Sequence, residues 1–185
     1  MDFARSERKL SLLKIMRLSI CLVSDFFWPN IGGVENHIYQ LAVCLQRRGH
    51  KVVVVTRAYG EEYSGVRLLP GVDKEKGAAG DVKVYYIPRL VLGKQVTLPT
   101  ILPFYSTFHD ILRKEEVDIV HGHQSSSPLV HECICIGRAL GCKTILTEHS
   151  LYGMSERFLS FESVINKFLE ITLCHVDHVI CVSEK

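Results

Sequence analysis

Two short polar segments, each following an apolar run, carry the residues best suited to bind a ligand. Residues 121–127 read HGHQSSS and residues 147–150 read TEHS. A histidine that directly follows a buried strand lies at the edge of a sheet, where a neutral imidazole can donate or accept a hydrogen bond. His149 is therefore predicted to contact a ligand, with Glu148 beside it at the same edge. The alternative for His149 is a structural role in the turn.

His121 and His123 raise the question of a metal ion. In an extended segment, residues two apart point the same way, so both rings could meet one ion. Two ligands do not make a site, however, and no carboxylate or thiol lies at a suitable local spacing. We therefore predict no metal site here and assign His121, His123 and Ser125 to polar contacts with a ligand or a neighbouring loop. The serines up to Ser127 also suit the N-cap of a helix that begins near residue 128.

A glycine pair follows the first apolar run of the chain. Residues 18–23 predict a strand that is buried on both faces, and the apolar residues after Gly33 recur at helical spacing. A strand that leads through a glycine turn into a helix N-terminus is a common phosphate or diphosphate site, so Gly32 and Gly33 are predicted to cradle such a group. The alternative is a tight turn without a ligand. Asn30 lies in the same loop, and Glu35 either contacts the ligand or merely suits the helix dipole.

Alternating strand and helix patterns predict an α/β domain. Strands are expected at 18–23, 50–56, 82–87, 118–121, 143–147 and 177–182, and helices at 33–48, 101–116, 128–140 and 160–173. This order predicts a Rossmann-like parallel sheet with helices on both faces. Because ligands bind outside the carboxyl ends of such strands, residues 24–33, 57–60, 121–127 and 148–153 should share one edge. Residues 57–81 are predicted to be an exposed loop.

Composition and glycine spacing argue against nucleic acids and dinucleotide cofactors as ligands. With 22 basic and 20 acidic residues, the net charge of +2 is too balanced for a nucleic-acid binder. The glycine pattern also lacks the Gly-x-Gly-x-x-Gly fingerprint of NAD and FAD enzymes. Seven cysteines without a secretory signal predict buried free thiols in a reducing compartment.

Three features bear on membranes. Residues 1–17 are predicted to be a disordered basic tail with weak attraction to anionic lipid. No run of 18 apolar residues occurs, so no transmembrane helix is predicted. Residues 90–108 are apolar and aromatic, and we expect them to lie near a bilayer or lipid, with ordinary core packing as the alternative.

Five stretches together closely resemble one family: SDFFWPNIGGVENHIYQL, RRGHKVVVVTRAYG, VKVYYIP, TEHSLYG and VDHVICVS. It is the family of catalytic subunits of phosphatidylinositol N-acetylglucosaminyltransferase (PIG-A proteins), which make the first intermediate of glycosylphosphatidylinositol anchors. The similarity runs from about residue 18 to residue 183, and it implies that residues 70–80 are an insertion. It implies a fold that is the amino-terminal, acceptor-side half of a two-domain GT-B glycosyltransferase, with the donor-binding domain outside residues 18–185. We therefore expect the chain to be inactive alone.

The resemblance also implies a reaction and its participants. N-acetylglucosamine would pass from UDP-N-acetylglucosamine to phosphatidylinositol with retention of configuration, without a cofactor or essential metal. His149 would be the catalytic residue beside the donor sugar, and Gly32 and Gly33 would lie over the donor diphosphate. The implied setting is the cytoplasmic face of the endoplasmic reticulum membrane, with further transferase subunits as partners. The residues expected on the acceptor side or sheet edge are Asn30, Glu35, His121, His123, Ser125 and Glu148.

Two other functions remain open from the sequence. The chain could be a non-catalytic module that binds partner subunits of the transferase complex. It could also belong to a related retaining glycosyltransferase with another acceptor, although the stretches specific to the subgroup argue against this.

Overall fold

The computed structural model of the chain describes residues 17–71, 80–92, 96, 97, 101–149, 167 and 169–182. Several predictions lie wholly or partly outside these residues. They concern the basic tail, the centre of the insertion at 72–79, the edge segment after residue 149 and most of the helix at 160–173, of which 167 and 169–173 are described and helical.

One seven-stranded sheet organises the described chain. Its strands are β1 (Ser19–Val23), β2 (Lys51–Arg57), β3 (Gly65–Leu69), β4 (Val82–Ile87), β7 (Ile119–His123), β8 (Lys143–Glu148) and β9 (His178–Cys181). A separate antiparallel hairpin consists of β5 (Val91–Leu92) and β6 (Val96–Thr97). The helices are α1 (Gly33–Arg47), α2 (Ile101–Glu115) and α3 (Pro128–Ala139).

The strand order creates a crevice between β1 and β7. The sheet runs β3-β4-β2-β1-β7-β8-β9, and every pair is parallel except β3 with β4. The chain therefore builds the sheet in one direction from β1 and then crosses to its other side at β7. Such a switch point opens a crevice outside the carboxyl ends of the two strands, where α/β proteins bind ligands.

Alternate residues of β1 enter two different cores. Ile20 and Leu22 pack with α1 on one face, in a cluster that includes Ile38 and Ala42. Cys21 and Val23 pack on the other face with side chains of α2 and α3. A strand covered on both faces has no polar side, which explains its unbroken apolar sequence. The predicted parallel sheet with helices on both faces is confirmed.

The prediction that residues 57–81 form an exposed loop is wrong for part of that range. Residues 65–69 form β3, which pairs antiparallel with β4 at the edge of the sheet. Most of β3 is exposed, so its sequence lacks the apolar alternation that marks a half-buried strand. Backbone pairing with β4, rather than burial, holds it in place.

Two predictions about burial also need correction. Only Cys21, Cys133 and Cys142 are buried among the seven free cysteines, and Cys44, Cys174 and Cys181 are exposed. Within the apolar segment 90–108, Phe104 and Phe108 stack in the core, so ordinary packing accounts for both. Leu90 is exposed. Among the described residues, no helix has the length and apolar character needed to cross a membrane.

A buried carboxylate ties three elements together at the amino edge of the sheet. Glu115, at the end of α2, accepts a hydrogen bond from Tyr85 and lies 2.5 Å from Lys83 Nζ and 3.1 Å from Lys51 Nζ. Its backbone carbonyl accepts a hydrogen bond from the Ser19 hydroxyl at 2.7 Å. Burial alone would raise the pKa of Glu115, but hydrogen bonds from Lys83, Tyr85 and Lys51 outweigh it and lower this pKa to about 2.

Replacing Glu115 with Gln should reduce the free energy of unfolding by about 1–3 kcal/mol at pH 7, because charge-assisted hydrogen bonds from Lys51 and Lys83 are lost. The loss stays in this range because both lysines are partly exposed to water, which screens their charges. Because the folded pKa of about 2 lies below the ordinary value of 4.5, the stabilisation is present above that value and is lost as the pH falls toward 2. Urea unfolding of both proteins between pH 7 and pH 3 measures the difference.

Glu116→Gln is the matched control, because Glu116 is the exposed neighbour of Glu115. The two proteins share every other acidic group, so the difference in their pH dependence isolates Glu115. Equal stability of Glu115→Gln and Glu116→Gln at pH 7 would contradict the prediction.

Candidate functional site

The loop between β1 and α1 is fixed across the crevice by Asp25. Its carboxylate accepts hydrogen bonds from the Ser127 hydroxyl at 2.9 Å and from the Leu129 amide at 3.3 Å, and its own amide donates to Ser127 Oγ at 3.0 Å. Ser127 is the N-cap of α3, as the sequence predicts for one of the serines, and accepts from the Val130 amide. Asp25 and Ser127 are both fully buried, so this network holds the two sides of the crevice together.

Two tyrosine hydroxyls, one from β4 and one from the loop after β2, bond to the backbone of the loop between β1 and α1. The Tyr59 hydroxyl donates to the Asp25 carbonyl at 2.8 Å and accepts from the Phe27 amide at 3.1 Å. The Tyr86 hydroxyl donates to the Trp28 carbonyl at 2.9 Å. Burial raises the pKa of Tyr59, so its hydroxyl keeps the proton that this bridge requires. The loop is thus presented to the crevice in one conformation.

The glycine pair begins α1 without a side-chain cap. Gly32 is the N-cap with extended backbone (φ −163°, ψ −179°), and no side chain caps it. A Cβ placed on Gly32 would lie 2.4 Å from the Glu35 carboxylate, which folds back over the helix start, whereas a Cβ on Gly33 would meet nothing within 4 Å. Neither glycine has a positive φ, so neither is required by the backbone conformation. Glu35 occupies the first turn, where a negative charge is stabilised by the helix dipole.

Four histidines from three parts of the fold converge beside this helix start. His121 and His123 lie on β7 itself, so the predicted strand end at residue 121 is two residues too early. Ring centroids are 4.3 Å apart for His121 and His123, and 5.4 Å apart for His123 and His149, which follows β8. His37, one turn into α1, lies edge-on to His149 with centroids 4.7 Å apart.

Burial lowers the pKa of three of these imidazoles, those of His121, His123 and His149. Burial, followed by the nearby His37 and His149, lowers the pKa of His121 to about 4. Burial also lowers the pKa of His123 and of His149, and neighbouring histidines add to both effects. Such rings at pH 7 are hydrogen-bonding groups rather than cations, which suits uncharged hydroxyls better than phosphate oxygens.

Polar contacts of the cluster leave one buried atom unpaired. His121 Nε2 lies 2.7 Å from Thr147 Oγ1, and His123 Nδ1 lies 3.2 Å from His149 Nε2. His123 Nε2 is buried and has no hydrogen-bond partner within the described chain. Leaving a buried polar atom unpaired costs about 1–3 kcal/mol of stability, so ligand binding explains this position of His123 better than stability does.

Ser125 and Glu148 support the edge of the cluster. The Ser125 amide donates to Glu148 Oε2 at 3.1 Å, and the Ser125 carbonyl lies 2.7 Å from His131 Nε2. His131 Nδ1 in turn lies 2.6 Å from Thr172 Oγ1. These contacts connect the segment after β7 to the segment after β8. The predicted residues Ser125 and Glu148 thus meet each other, whereas the Asn30 amide bonds to the carbonyl of Phe27 within its own loop.

Two residues of the site escape sequence reasoning. The sequence gives His37 no context beyond a structural or exposed helix position, yet its ring contacts both His123 and His149. It lies four residues after Gly33, so both are on one face of α1, and this spacing is the available signal. Asp25 is the second, although an acid directly after a buried strand is a signal of a fixed carboxylate at the sheet edge.

The chain is similar in sequence to curated proteins from several organisms. The chain is 45% identical over 168 residues to a phosphatidylinositol N-acetylglucosaminyltransferase subunit of Arabidopsis thaliana, covering 90% of this chain and 34% of that protein. It is 43% identical over 166 residues to the protein of the same name from Homo sapiens, covering 89% and 31%. The chain thus spans about a third of the length of the curated relatives it matches.

A solved structure confirms the fold. Sucrose-phosphate synthase from Thermosynechococcus elongatus superposes with a TM-score of 0.57 at 16% identity, over 88% of this chain and 42% of that one. At this identity the likeness concerns the Rossmann-like GT-B fold alone. The sequence match to a family extends over residues 31–185, which include α1, the histidine cluster and β9. The chain belongs to Glycosyltransferase Family 4.

Proposed function

We propose that this chain is the acceptor-side part of a retaining glycosyltransferase that moves N-acetylglucosamine from UDP-N-acetylglucosamine to phosphatidylinositol, the first step of glycosylphosphatidylinositol anchor synthesis. The proposal takes its substrates from relatives that are named for this reaction. The observation that carries it in this chain is the uncapped glycine start of α1 beside a cluster of neutral histidines, at the switch point of the sheet.

The absence of a side chain at Gly33 supports the proposal that the donor diphosphate lies against the start of α1. No positive φ and no neighbouring atom demands glycine at this position, and a helix start with alanine would be more stable. An external group that touches the backbone would explain the missing side chain, because a Cβ at Gly33 would occupy the space that the group needs. Backbone N–H groups of Gly33 and the following residue would then donate to the charge that develops on the leaving diphosphate.

The position of His149 supports the proposal that the donor sugar lies beside this ring in the crevice. A half-buried, neutral imidazole at the crevice can bind and orient a sugar hydroxyl, and His37 and His123 fix the orientation of its ring. His121, His123, Ser125 and Glu148 would then shape the acceptor side. No cofactor and no essential metal take part in this scheme. The donor nucleotide would be held by a second domain that lies outside the described residues.

The proposed setting is the cytoplasmic face of the endoplasmic reticulum membrane, in a complex with other subunits. Phosphatidylinositol remains in its bilayer, so the acceptor side must approach the membrane surface. Exposed apolar side chains occur at the carboxyl edge of the sheet, where Ile31 is 87% exposed and Leu90, which follows β4, is 65% exposed. Isolated exposed side chains are common, so this support depends on their position beside the crevice.

Replacing Gly33 with Ala should reduce transfer by about 10²-fold, because the added Cβ would hold the diphosphate away from the backbone N–H groups, a loss comparable to that of one oxyanion donor, while stability stays the same or rises. The assay uses a chimaera in which this chain replaces the aligned third of the human relative, expressed in human cells that lack the relative. Transfer of radiolabelled N-acetylglucosamine to phosphatidylinositol in their membranes is the measurement.

Gly80→Ala is the matched control, because a Cβ at Gly80 also meets nothing within 4 Å and its φ is not positive. This variant should transfer at the parental rate. Activity of Gly33→Ala within twofold of the parent would refute the diphosphate cradle. A parent chimaera that assembles with the other subunits but transfers nothing would favour the non-catalytic module, and transfer only to another acceptor would favour the related transferase.

Replacing His149 with Ala should reduce transfer by about tenfold, as expected for one lost hydrogen bond to substrate, with little change in melting temperature. His131→Ala should show the opposite balance, because both ring nitrogens of His131 are engaged within the protein, with the Ser125 carbonyl and the Thr172 hydroxyl. Transfer in the chimaera and thermal unfolding of the chain are compared. Parallel losses of both quantities in His149→Ala would instead support a structural role.

Replacing Ile31 and Leu90 together with Asp should lower the fraction of the chain that floats with liposomes containing phosphatidylinositol, because both side chains would lose apolar contact with the bilayer. Leu68→Asp is the control, since Leu68 is 63% exposed but lies on β3 opposite Lys83, toward the other edge of the sheet. Flotation that is equal for all three proteins would rule out membrane contact at the carboxyl edge.

A further inference from the structure

Three histidines of the cluster bring one ring nitrogen each close to the other two. His37 comes from α1, His123 from β7 and His149 from the segment after β8. One nitrogen from each ring lies within 4.8 Å of the other two. The sequence favoured no metal site because a third ligand was missing near His121 and His123. The fold supplies that third ligand from His37, which is distant in sequence.

The distances suit a small tetrahedral ion. Zinc binds imidazole nitrogen at about 2.0–2.1 Å, which places two tetrahedral ligand atoms about 3.3 Å apart. His123 Nδ1 and His149 Nε2 are 3.2 Å apart, so this pair already has the required separation. His37 is exposed on the surface of α1, and rotation of its side chain can bring the third nitrogen to the same distance.

Burial and partners distinguish these three rings from the fourth. His121 lies beside His123, but its Nε2 contacts Thr147 Oγ1 at 2.7 Å and does not join the group. The described chain adds no carboxylate or thiol to the three nitrogens. Three imidazoles with a fourth position open toward the crevice are a ligand set that zinc and its neighbours in the first transition series accept.

We propose that His37, His123 and His149 form a binding site for a divalent transition-metal ion, with Zn²⁺ as the best-suited ion and water as its fourth ligand. The ion would connect α1 to β7 and to the end of β8, and would stabilise the fold by binding only when these elements are assembled. The buried Nε2 of His123 lacks a hydrogen-bond partner in the described chain, and ligating histidines usually have one there. We therefore expect a reversible site of moderate affinity rather than a permanent structural one.

If the proposed transfer reaction is also correct, the bound ion should interfere with it. The ion would bind the His149 ring at the place where this ring is proposed to meet the donor sugar, so Zn²⁺ should inhibit transfer and a chelator should restore it. This consequence rests on the proposed function, whereas metal binding itself does not.

The test measures metal binding to the untagged 185-residue chain without any substrate. The exposed Cys44, Cys174 and Cys181 are first replaced with Ser to remove competing thiols. Co²⁺ titration should produce the visible absorption of a tetrahedral site without a thiolate charge-transfer band, and Zn²⁺ should displace Co²⁺ and raise the melting temperature. His37→Ala and, separately, His149→Ala should each weaken Zn²⁺ binding at least tenfold.

His109→Ala is the matched control, because His109 lies on α2 outside the cluster and should leave binding unchanged. Circular dichroism verifies folding, and His37→Gln replaces His37→Ala if the latter fails to fold. Unchanged Zn²⁺ affinity in the folded His37 variant, an octahedral Co²⁺ spectrum or a thiolate band would overturn the proposal. A parent chain that binds Zn²⁺ as expected, but whose chimaera shows no transfer, would count against the proposed function alone.

Discussion

The hydrogen bonds between Asp25 and Ser127 are the contact on which the candidate site depends. Parallel sheets leave a gap where the chain crosses from one side to the other, and here the gap separates β1 from β7. The Asp25 carboxylate bridges this gap by accepting hydrogen bonds from Ser127, the N-cap of α3, and from the Leu129 amide. The loop that leads to Gly33 and the helix that follows the His123 segment are therefore held in one arrangement. The fully buried carboxylate of one side bonds to the other, so its burial favours formation of the two sides together.

Burial determines what chemistry the histidine cluster can perform. In water these rings would be partly charged near neutral pH, and close neighbours would repel each other. Inside the crevice, burial lowers the pKa of His121, His123 and His149, so the rings are neutral and can approach within hydrogen-bonding distance. The same neutrality leaves lone pairs on the nitrogens, which can face a sugar hydroxyl or a metal ion. One arrangement thus explains both the proposed substrate contact and the proposed metal site.

The two edges of the sheet have different tasks. At the amino edge, the Glu115 carboxylate forms ion pairs with Lys51 and Lys83 and accepts a hydrogen bond from Tyr85. At the carboxyl edge, the uncapped start of α1 and the buried Nε2 of His123 leave polar groups available. The carboxyl edge, where a ligand is proposed to bind, thus carries polar groups that cost stability, and the opposite edge is held by the paired charges around Glu115.

The sequence by itself determined the elements that depend on periodic burial. Strands covered on both faces are apolar throughout, and helices with one buried face repeat at helical spacing, so the Rossmann-like order and the glycine turn could be predicted from residues such as Leu22 and Ile38. Tertiary structure alone decided features that arise from contacts between distant segments. β3 is held by backbone pairing with β4, which leaves little trace in an exposed strand. His37 joins His123 and His149 because helix and sheet pack together, and a single residue carries no record of its partners.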